Sequence, residues 1–175
     1  MKIYQLKITL KHIKPPIWRR LEVPADIKLG KLHGVIQIAM GWTDSHLHAF
    51  VDGQTMYGIP DPEFGGSTKN ERNVRLDSIL EEGGKIVYEY DFGDGWEHEI
   101  KIEKVLEAAP TVHYPRCTAG KRACPPEDCG GLYGYEEFLA AIGDPNHPEH
   151  EETLEWIGGE FDPEAFELAE VNQAL

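Results

Sequence analysis

The sequence lacks any long apolar run and holds only three cysteines among its 175 residues. A membrane-spanning helix needs roughly 18 or more consecutive apolar residues, and no stretch approaches that length. The N-terminus alternates apolar with polar residues and lacks the continuous apolar core of a secretion signal. We therefore expect a cytoplasmic protein without membrane contact, whose cysteines are reduced thiols or metal ligands rather than disulfides.

Positive charge is scarce toward the C-terminus. The formal net charge is −14, and residues 81–175 contain 6 Lys and Arg against 23 Asp and Glu. Because contacts to a phosphate backbone need clustered Lys and Arg, this balance argues against a DNA-binding protein. One small basic cluster could hold a short anionic ligand, although we expect it to decorate the solvent face of a hairpin. It comprises Lys7, Lys11, Lys14, Arg19 and Arg20.

Alternating apolar and polar residues predict strands over 4–10, 17–23 and 46–56. Residues 86–102 alternate on both sides of a Gly-Asp-Gly tip and predict a β-hairpin. Apolar residues that recur every three or four positions predict one amphipathic helix packed on the sheet. They are Leu29, Leu32, Val35, Ile36, Ala39 and Met40.

These elements predict a single domain over residues 1–175, of the α+β class. We expect an antiparallel or mixed sheet of about five strands, one main packed helix and acidic C-terminal helices. Segment 110–135 is rich in Cys, Pro and Gly and should hold little regular structure, whereas 134–175 reads as an acidic helical end. Residues 57–73 are polar and rich in Gly and Pro, which predicts an exposed loop that acts as a lid over a site.

Histidines and carboxylates recur in the predicted strands and at the hairpin tip. His46 and His48 are two apart on a predicted strand, so their side chains share a face and could converge on one metal ion if other ligands join them. His98 should point inward among apolar neighbours. We predict a polar site, for binding or catalysis; the alternative is hydrogen-bonded histidines beside the core. The predicted rim consists of Asp44, His46, His48, Asp91, Asp94, Trp96 and His98.

The thiols suggest a second, separate site. Three cysteines and a histidine are a recognised zinc complement, and metal binding would stabilise a loop with few core residues. The spacing, six residues and then four between cysteines, is not the tight two-residue knuckle of common zinc fingers. Either a zinc site or three free thiols in a packed loop is expected. The residues concerned are His113, Cys117, Cys124 and Cys129.

Several short motifs spread over about residues 4–145 carry a family resemblance. They are IWRR at 17–20, LH at 32–33, AMGW at 39–42, SHLHAF at 45–50, YDFGDGWEH at 90–98, ACPPED at 123–128, GG at 130–131 and GY at 134–135. With them the chain resembles the plasmid pRiA4b ORF-3-like family. The resemblance implies an α+β, roll-like domain and no established activity.

The resemblance also bears on a functional label given to similar proteins and on the predicted thiol site. Similar proteins are sometimes labelled transposon resolvases, but this chain has neither a serine-recombinase-like nucleophile context nor a basic recombination surface. Cys129 departs from the family pattern, in which a small apolar residue can occupy that position. That departure leaves Cys117 and Cys124 as the better pair of thiol ligands.

Three functions follow from the residues. The leading hypothesis is a binding or interaction module without catalysis, which takes an unknown small molecule or protein at the rim. The second is an enzyme acting on a polar small molecule or nucleotide, with His98 or His48 as general base. Asp91 or Asp94 would orient that histidine. The third is a mobile-element accessory factor whose basic hairpin, with Trp18, binds nucleic acid weakly. Zinc is the one cofactor that the residues suggest.

Overall fold

The computed structural model describes residues 1–63 and 66–175. The strands are β1 (Lys2–Leu10), β2 (Ile17–Pro24), β3 (His48–Asp52), β4 (Thr55–Gly58), β5 (Lys69–Asn70), β6 (Lys85–Tyr90), β7 (Trp96–Glu107) and β8 (Arg116–Lys121). The helices are α1 (Leu29–Met40), α2 (Gly131–Gly143), α3 (His150–Ile157) and α4 (Leu168–Ala174). Two short 3-10 turns, Glu71–Asn73 and Leu76–Ser78, precede β6.

All described strands belong to one sheet, in the order β5-β4-β3-β6-β7-β1-β2-β8. Neighbours are antiparallel except β4 and β5, which are parallel, so the sheet is mixed. The predicted α+β class is confirmed. The predicted strand number of about five is too low, because the sheet has eight strands. The segment 46–56 splits between β3 and β4, β5 pairs only two residues, and β8 lies in the segment expected to be irregular.

The main helix, α1, packs its apolar stripe on the sheet as the sequence predicts. All six residues of the predicted stripe are buried. Two polar residues of the helix, His33 and Gln37, are buried with them. The helix ends at Gly41, whose φ of 100° is a left-handed conformation that favours glycine. Two polar side chains therefore lie on the face of α1 that packs against the sheet.

The hairpin of β6 and β7 is confirmed, with a longer tip than a two-residue turn. Tyr90 pairs with Trp96, so five residues form the tip. Asp91 has a positive φ of 62°, and its Oδ1 accepts hydrogen bonds from the backbone nitrogens of Gly93 (3.1 Å) and Asp94 (3.2 Å). The turn therefore holds one carboxylate oxygen of Asp91 and leaves Oδ2 outside the turn.

The end of the chain predicted to be acidic and helical holds most of α2 and all of α3 and α4. The last helix, α4, begins at Leu168, and before it the carbonyl of Pro163 accepts a hydrogen bond from the Ala123 amide (3.1 Å). The longest helix among the described residues, α2, has 13 residues, and none of those helices has the length and apolar character to cross a membrane.

Helix α4 covers the free edge of β8. The amide of Cys117 donates to Oδ1 of Asn172 (2.8 Å), and Nδ2 of Asn172 donates to the carbonyl of Cys117 (2.9 Å). One side chain thus replaces a neighbouring strand at that position, which is one way in which proteins protect a sheet edge.

Candidate functional site

A cavity of about 430 Å³ lies where the N-terminal end of α1 meets the segment before β3 and the turn at Glu71–Asn73. Three of its lining side chains are cationic, and none of the three forms an ion pair with another described residue. These are Lys28, Lys31 and Arg72. The other lining residues are Gly30, His33, Asp44, His46, Leu47, His48, Ile59 and Glu71.

The N-terminus of α1 adds positive potential to this cavity. Its N-cap, Lys28, supplies no side-chain hydrogen bond, and its first turn holds no acidic residue. The amides of Gly30 and Lys31 find no backbone partner among the described residues. Unpaired amides and the positive end of the helix dipole make such a terminus a suitable place for an anion.

Two stacked imidazoles form a wall of the cavity. The rings of His33 and His48 lie 3.4 Å apart between centroids at an angle of 6°. Both residues are buried, and each ring is bonded to a carboxylate on its own side. At this distance the two imidazoles are in direct contact, so a charge on one ring acts on the other.

A chain of hydrogen bonds fixes the tautomer of His33. Gln37 Nε2 donates to the Tyr88 hydroxyl (2.9 Å), which then donates to His33 Nδ1 (2.6 Å). The proton of His33 is therefore on Nε2, which donates to Asp44 Oδ1 (2.8 Å). Burial, together with the neighbouring His48, lowers the pKa of His33 despite the carboxylate. His33 is a neutral donor that orients the exposed carboxylate of Asp44.

His48 forms a buried pair with Glu71. Its Nε2 lies 2.7 Å from one carboxylate oxygen of Glu71 and 3.0 Å from the other, and both side chains are only 5% exposed. A buried carboxylate needs such a partner because leaving it unpaired costs several kcal/mol. This pair attaches the turn at Glu71–Asn73 to β3 beside the cavity.

A second group of polar side chains surrounds His46. Its Nε2 lies 2.7 Å from Oδ1 of Asp128, 3.6 Å from Oδ2 of Asp91 and 3.9 Å from Oε2 of Glu127. The sequence predicts that His46 and His48 share one site. The structure places both residues along the same cavity. His46 precedes β3 instead of lying in it, and the two imidazoles contact different carboxylates.

The prediction that Trp96 and His98 form part of the rim is wrong. They are 1% and 0% exposed, because the alternation that turns them inward places them within the core. His98 Nδ1 donates to the Tyr88 carbonyl (3.0 Å), and its Nε2 accepts from Trp42 Nε1 (3.3 Å). Burial lowers the pKa of His98 to about 4. A neutral, fully bonded and inaccessible ring is unsuitable as a general base.

The remaining predicted residues fall in or beside the site. Asp44 lines the cavity, and Asp91 contacts His46. Asp94 does not reach the cavity; its Oδ2 accepts a hydrogen bond from the Gly130 amide (3.2 Å) and ties the hairpin tip to the loop before α2. Of the predicted lid, 57–73, both ends contribute lining residues, while Phe64 and Gly65 lie outside the described residues.

The thiols and His113 do not come together as a zinc site. Among the described residues, two groups have ligand atoms close enough to share an ion, and neither contains a cysteine. Cys117 donates to the Ala119 carbonyl (3.4 Å). Burial raises the pKa of Cys124 and of Cys129 to about 12, which favours uncharged thiols. This geometry supports the alternative of three free thiols.

The basic cluster of the first hairpin is not an open cationic surface. Arg19 is buried, and its Nε donates to the Ala39 carbonyl (2.7 Å). Trp18 is covered by two cations, with Lys7 Nζ 4.9 Å and Arg20 Cζ 5.1 Å from its ring. Arg20 also pairs with Glu103 (2.8 Å). These contacts occupy the groups that the nucleic-acid hypothesis requires.

Sequence reasoning missed several residues of the site, which are His33, Glu71 and Glu127 together with the cations of the cavity. His33 interrupts the apolar stripe of α1 beside Leu32, and such a buried polar position signals a specific partner. Glu71 and Glu127 lie in irregular segments with no periodic pattern. Their positions follow from tertiary contacts that local sequence does not reveal.

Comparison with known proteins places this architecture in a family. The model of the family described as plasmid pRiA4b ORF-3-like protein matches residues 2–170. The uncharacterized protein y4hQ from Sinorhizobium fredii (strain NBRC 101917 / NGR234) is 44% identical over 176 residues, which cover 99% of this chain and 90% of that protein.

A solved structure shows the same fold. The protein of unknown function MM3350 from Methanosarcina mazei Go1 superposes with a TM-score of 0.87 at 41% identity, over 96% of each chain. The motifs of the sequence had indicated this relationship. By the extent of the family match and the identity to y4hQ, the chain belongs to the plasmid pRiA4b ORF-3-like protein family.

Proposed function

We propose that this protein is a binding module that receives a small, negatively charged ligand in the cavity at the N-terminal end of α1. One observation carries the proposal: Lys28, Lys31 and Arg72 meet at one cavity without an ion-pair partner among the described residues. The chain as a whole has a net charge of −14, so a local concentration of unpaired cations stands out from its surroundings. Such a region attracts anions.

The carboxylates of the cavity do not cancel this positive charge. Two carboxylates, Glu71 and Asp44, line the cavity and are outnumbered by its three cations, which have no ion-pair partner among the described residues. The unpaired amides at the start of α1 supply further donors. A phosphate or carboxylate group would accept hydrogen bonds from these amides and pair with the side chains.

Titration with inorganic phosphate tests the proposal. We expect saturable binding to the full chain by calorimetry, with shifts of the Gly30 and Lys31 amide resonances in ¹⁵N NMR spectra. Arg72→Gln should weaken binding at least about tenfold, because a hydrogen bond to a charged group contributes about 1.5–3 kcal/mol. Lys104→Gln is the matched control, since that exposed lysine lies on β7 outside the cavity.

Two results would contradict anion binding at this cavity. The first is an absence of saturable binding at millimolar phosphate. The second is equal weakening by the Arg72 and Lys104 variants, which would show that net charge and not the cavity determines the interaction.

A second candidate function is catalysis with His48 as general base. The observation in its favour is the buried contact of His48 Nε2 with Glu71, since a carboxylate that orients an imidazole also stabilises the protonated ring. Hydrolysis of p-nitrophenyl phosphate by the wild type and by His48→Gln separates the two functions. An enzyme loses turnover in this variant while it retains phosphate affinity, whereas a binding module shows no turnover in either protein.

We also propose that the protein works in the cytoplasm. All three cysteines are free thiols, which supports a reducing compartment. Fractionation of the source cells with detection of the native chain tests this location, and recovery from an extracellular or periplasmic fraction would contradict it.

A further inference from the structure

We propose that His46, Asp91, Glu127 and Asp128 form a binding site for a divalent transition-metal ion. The cluster lies beside the anion cavity and shares His46 with it. The inference does not depend on anion binding, because it rests on the partners of these four side chains alone.

The ligand atoms have the separations that one bound ion requires. His46 Nε2, an oxygen of Asp91 and an oxygen of Glu127 lie within 4.8 Å of one another. Ligand atoms that are each about 2.0–2.2 Å from a zinc ion lie about 3–4 Å apart. Only small side-chain adjustments would bring the three atoms, with Asp128 Oδ1 at 2.7 Å from the imidazole, onto one centre.

The buried Asp91 and the partly buried Glu127 each have one oxygen held by the protein and the other directed at His46. Glu127 Oε1 accepts from the Thr43 amide (2.8 Å), the Thr43 hydroxyl (3.1 Å) and the Tyr90 hydroxyl (2.9 Å). Asp91 Oδ1 accepts from two amides of the hairpin tip. Outer hydrogen bonds of this kind orient the ligands of protein metal sites.

The ligand atoms of His46, Asp91 and Glu127 that face one another form no hydrogen bonds with the described residues. His46 Nε2 and Glu127 Oε2 are shut off from solvent and form no hydrogen bond with the described residues. The Asp91 side chain is 9% exposed, and its Oδ2 accepts no hydrogen bond in the described part of the chain. Asp128 Oδ1 lies 2.7 Å from His46 Nε2 as an ion-pair contact, and its side chain is largely exposed.

Unpartnered buried polar atoms are costly, and carboxylates gathered around one point repel each other. A divalent cation removes both costs at once, because it accepts a lone pair from each atom and neutralises the charge. The other group with suitable ligand separations, His33, Asp44 and His48, differs in that both nitrogens of His33 and Nε2 of His48 are already hydrogen-bonded.

The donor set indicates the kind of ion. One imidazole with carboxylates suits Zn²⁺ or Mn²⁺ better than Mg²⁺ or Ca²⁺, which favour all-oxygen sites. Asp128 is 64% exposed, so the cluster opens to solvent on one side. That side would admit the ion and leave room for a water or a ligand in the remaining coordination position.

Metal titration of the chelator-treated full chain tests the proposal. We expect one Zn²⁺ or Mn²⁺ per chain by calorimetry, and an increase in the melting temperature on metal addition. Glu127→Gln and Asp91→Asn should each weaken binding at least about tenfold. Glu136→Gln, an exposed carboxylate on α2, is the matched control and should bind as the wild type does. Circular dichroism verifies that each variant folds.

The absorption spectrum of the Co²⁺-loaded wild type provides a test without variants. Nitrogen and oxygen ligation predicts d–d bands without the intense near-ultraviolet band of a cobalt–thiolate bond. A thiolate band, loss of binding in Cys124→Ser, or unchanged affinity in Glu127→Gln would overturn the assignment. Loss of binding in His48→Gln with retention in Glu127→Gln would move the ion to the His33 group and overturn it equally, as would an absence of stoichiometric binding.

Discussion

Replacement of His98 should remove a defined part of the pH dependence of folding stability. The ring is fully buried, and both of its nitrogens are bonded, one to the Tyr88 carbonyl and the other to the Trp42 indole. Burial lowers its pKa from 6.5 to about 4. The other titratable group against the ring, Tyr88, stays protonated because burial raises its pKa well above the usual value.

The sign and size of the effect follow from the two states of His98. An unfolded chain binds a proton on this residue below about pH 6.5, whereas the folded protein does not until about pH 4. The contribution to stability is therefore complete above pH 6.5 and is lost as the pH falls toward 4. The full difference corresponds to about 3 kcal/mol, of which about 1 kcal/mol is lost between about pH 7.5 and about pH 5.5.

Urea unfolding at these two pH values measures the effect. In His98→Gln the loss of stability on acidification should be smaller than in the wild type by about 1 kcal/mol. His113→Gln, which replaces an exposed histidine, should retain the wild-type loss. Equal pH dependence of the His98 variant and the wild type would refute the reasoning. So would ¹⁵N NMR spectra in which the His98 ring of the folded protein takes up a proton near pH 6.5.

Two further substitutions test the packing of the fold away from the cavity. Arg19→Lys should destabilise the protein by about 1–3 kcal/mol in urea unfolding, because a lysine cannot reproduce the donors that satisfy the buried Ala39 carbonyl. Gly134→Ala should lower the melting temperature, since its Cβ would lie 2.0 Å from the Cys129 carbonyl oxygen and overpacking costs about 1–3 kcal/mol. Gly143→Ala, with nothing within 4 Å of the new Cβ, is the control and should not destabilise.

The fold was predictable wherever side chains alternate with a clear period. Each of these elements buries one face against the core, so its apolar residues recur with a fixed period in the sequence. They are the strands from Tyr4 and Ile17, the stripe of α1 and the hairpin through Trp96. Strand β8 has no such pattern, because its ladder depends on β2 and on the Asn172 side chain. A strand defined by its neighbours cannot be inferred from its own residues.

The candidate site was predictable only in part, for a related reason. Asp44, His46, His48 and Asp91 are marked by residue type and by closeness to a turn. His98 is of the same type, but it lies fully buried on the inward face of β7 and does not line the cavity, as His46 and His48 do. Glu71 and Glu127 approach their histidines across 23 and 81 positions of sequence, so no local pattern reveals either contact.

The hydrogen-bonded contact between Asn172 and Cys117 allows the last helix, α4, to hinder self-association through β8. Without it, an amide and a carbonyl of β8 would face solvent unpaired at the border of a wide sheet. Such a border can recruit a strand from a second molecule and extend the ladder between chains. The short helix thus blocks the addition of a further strand at this position of β8 through a single carboxamide.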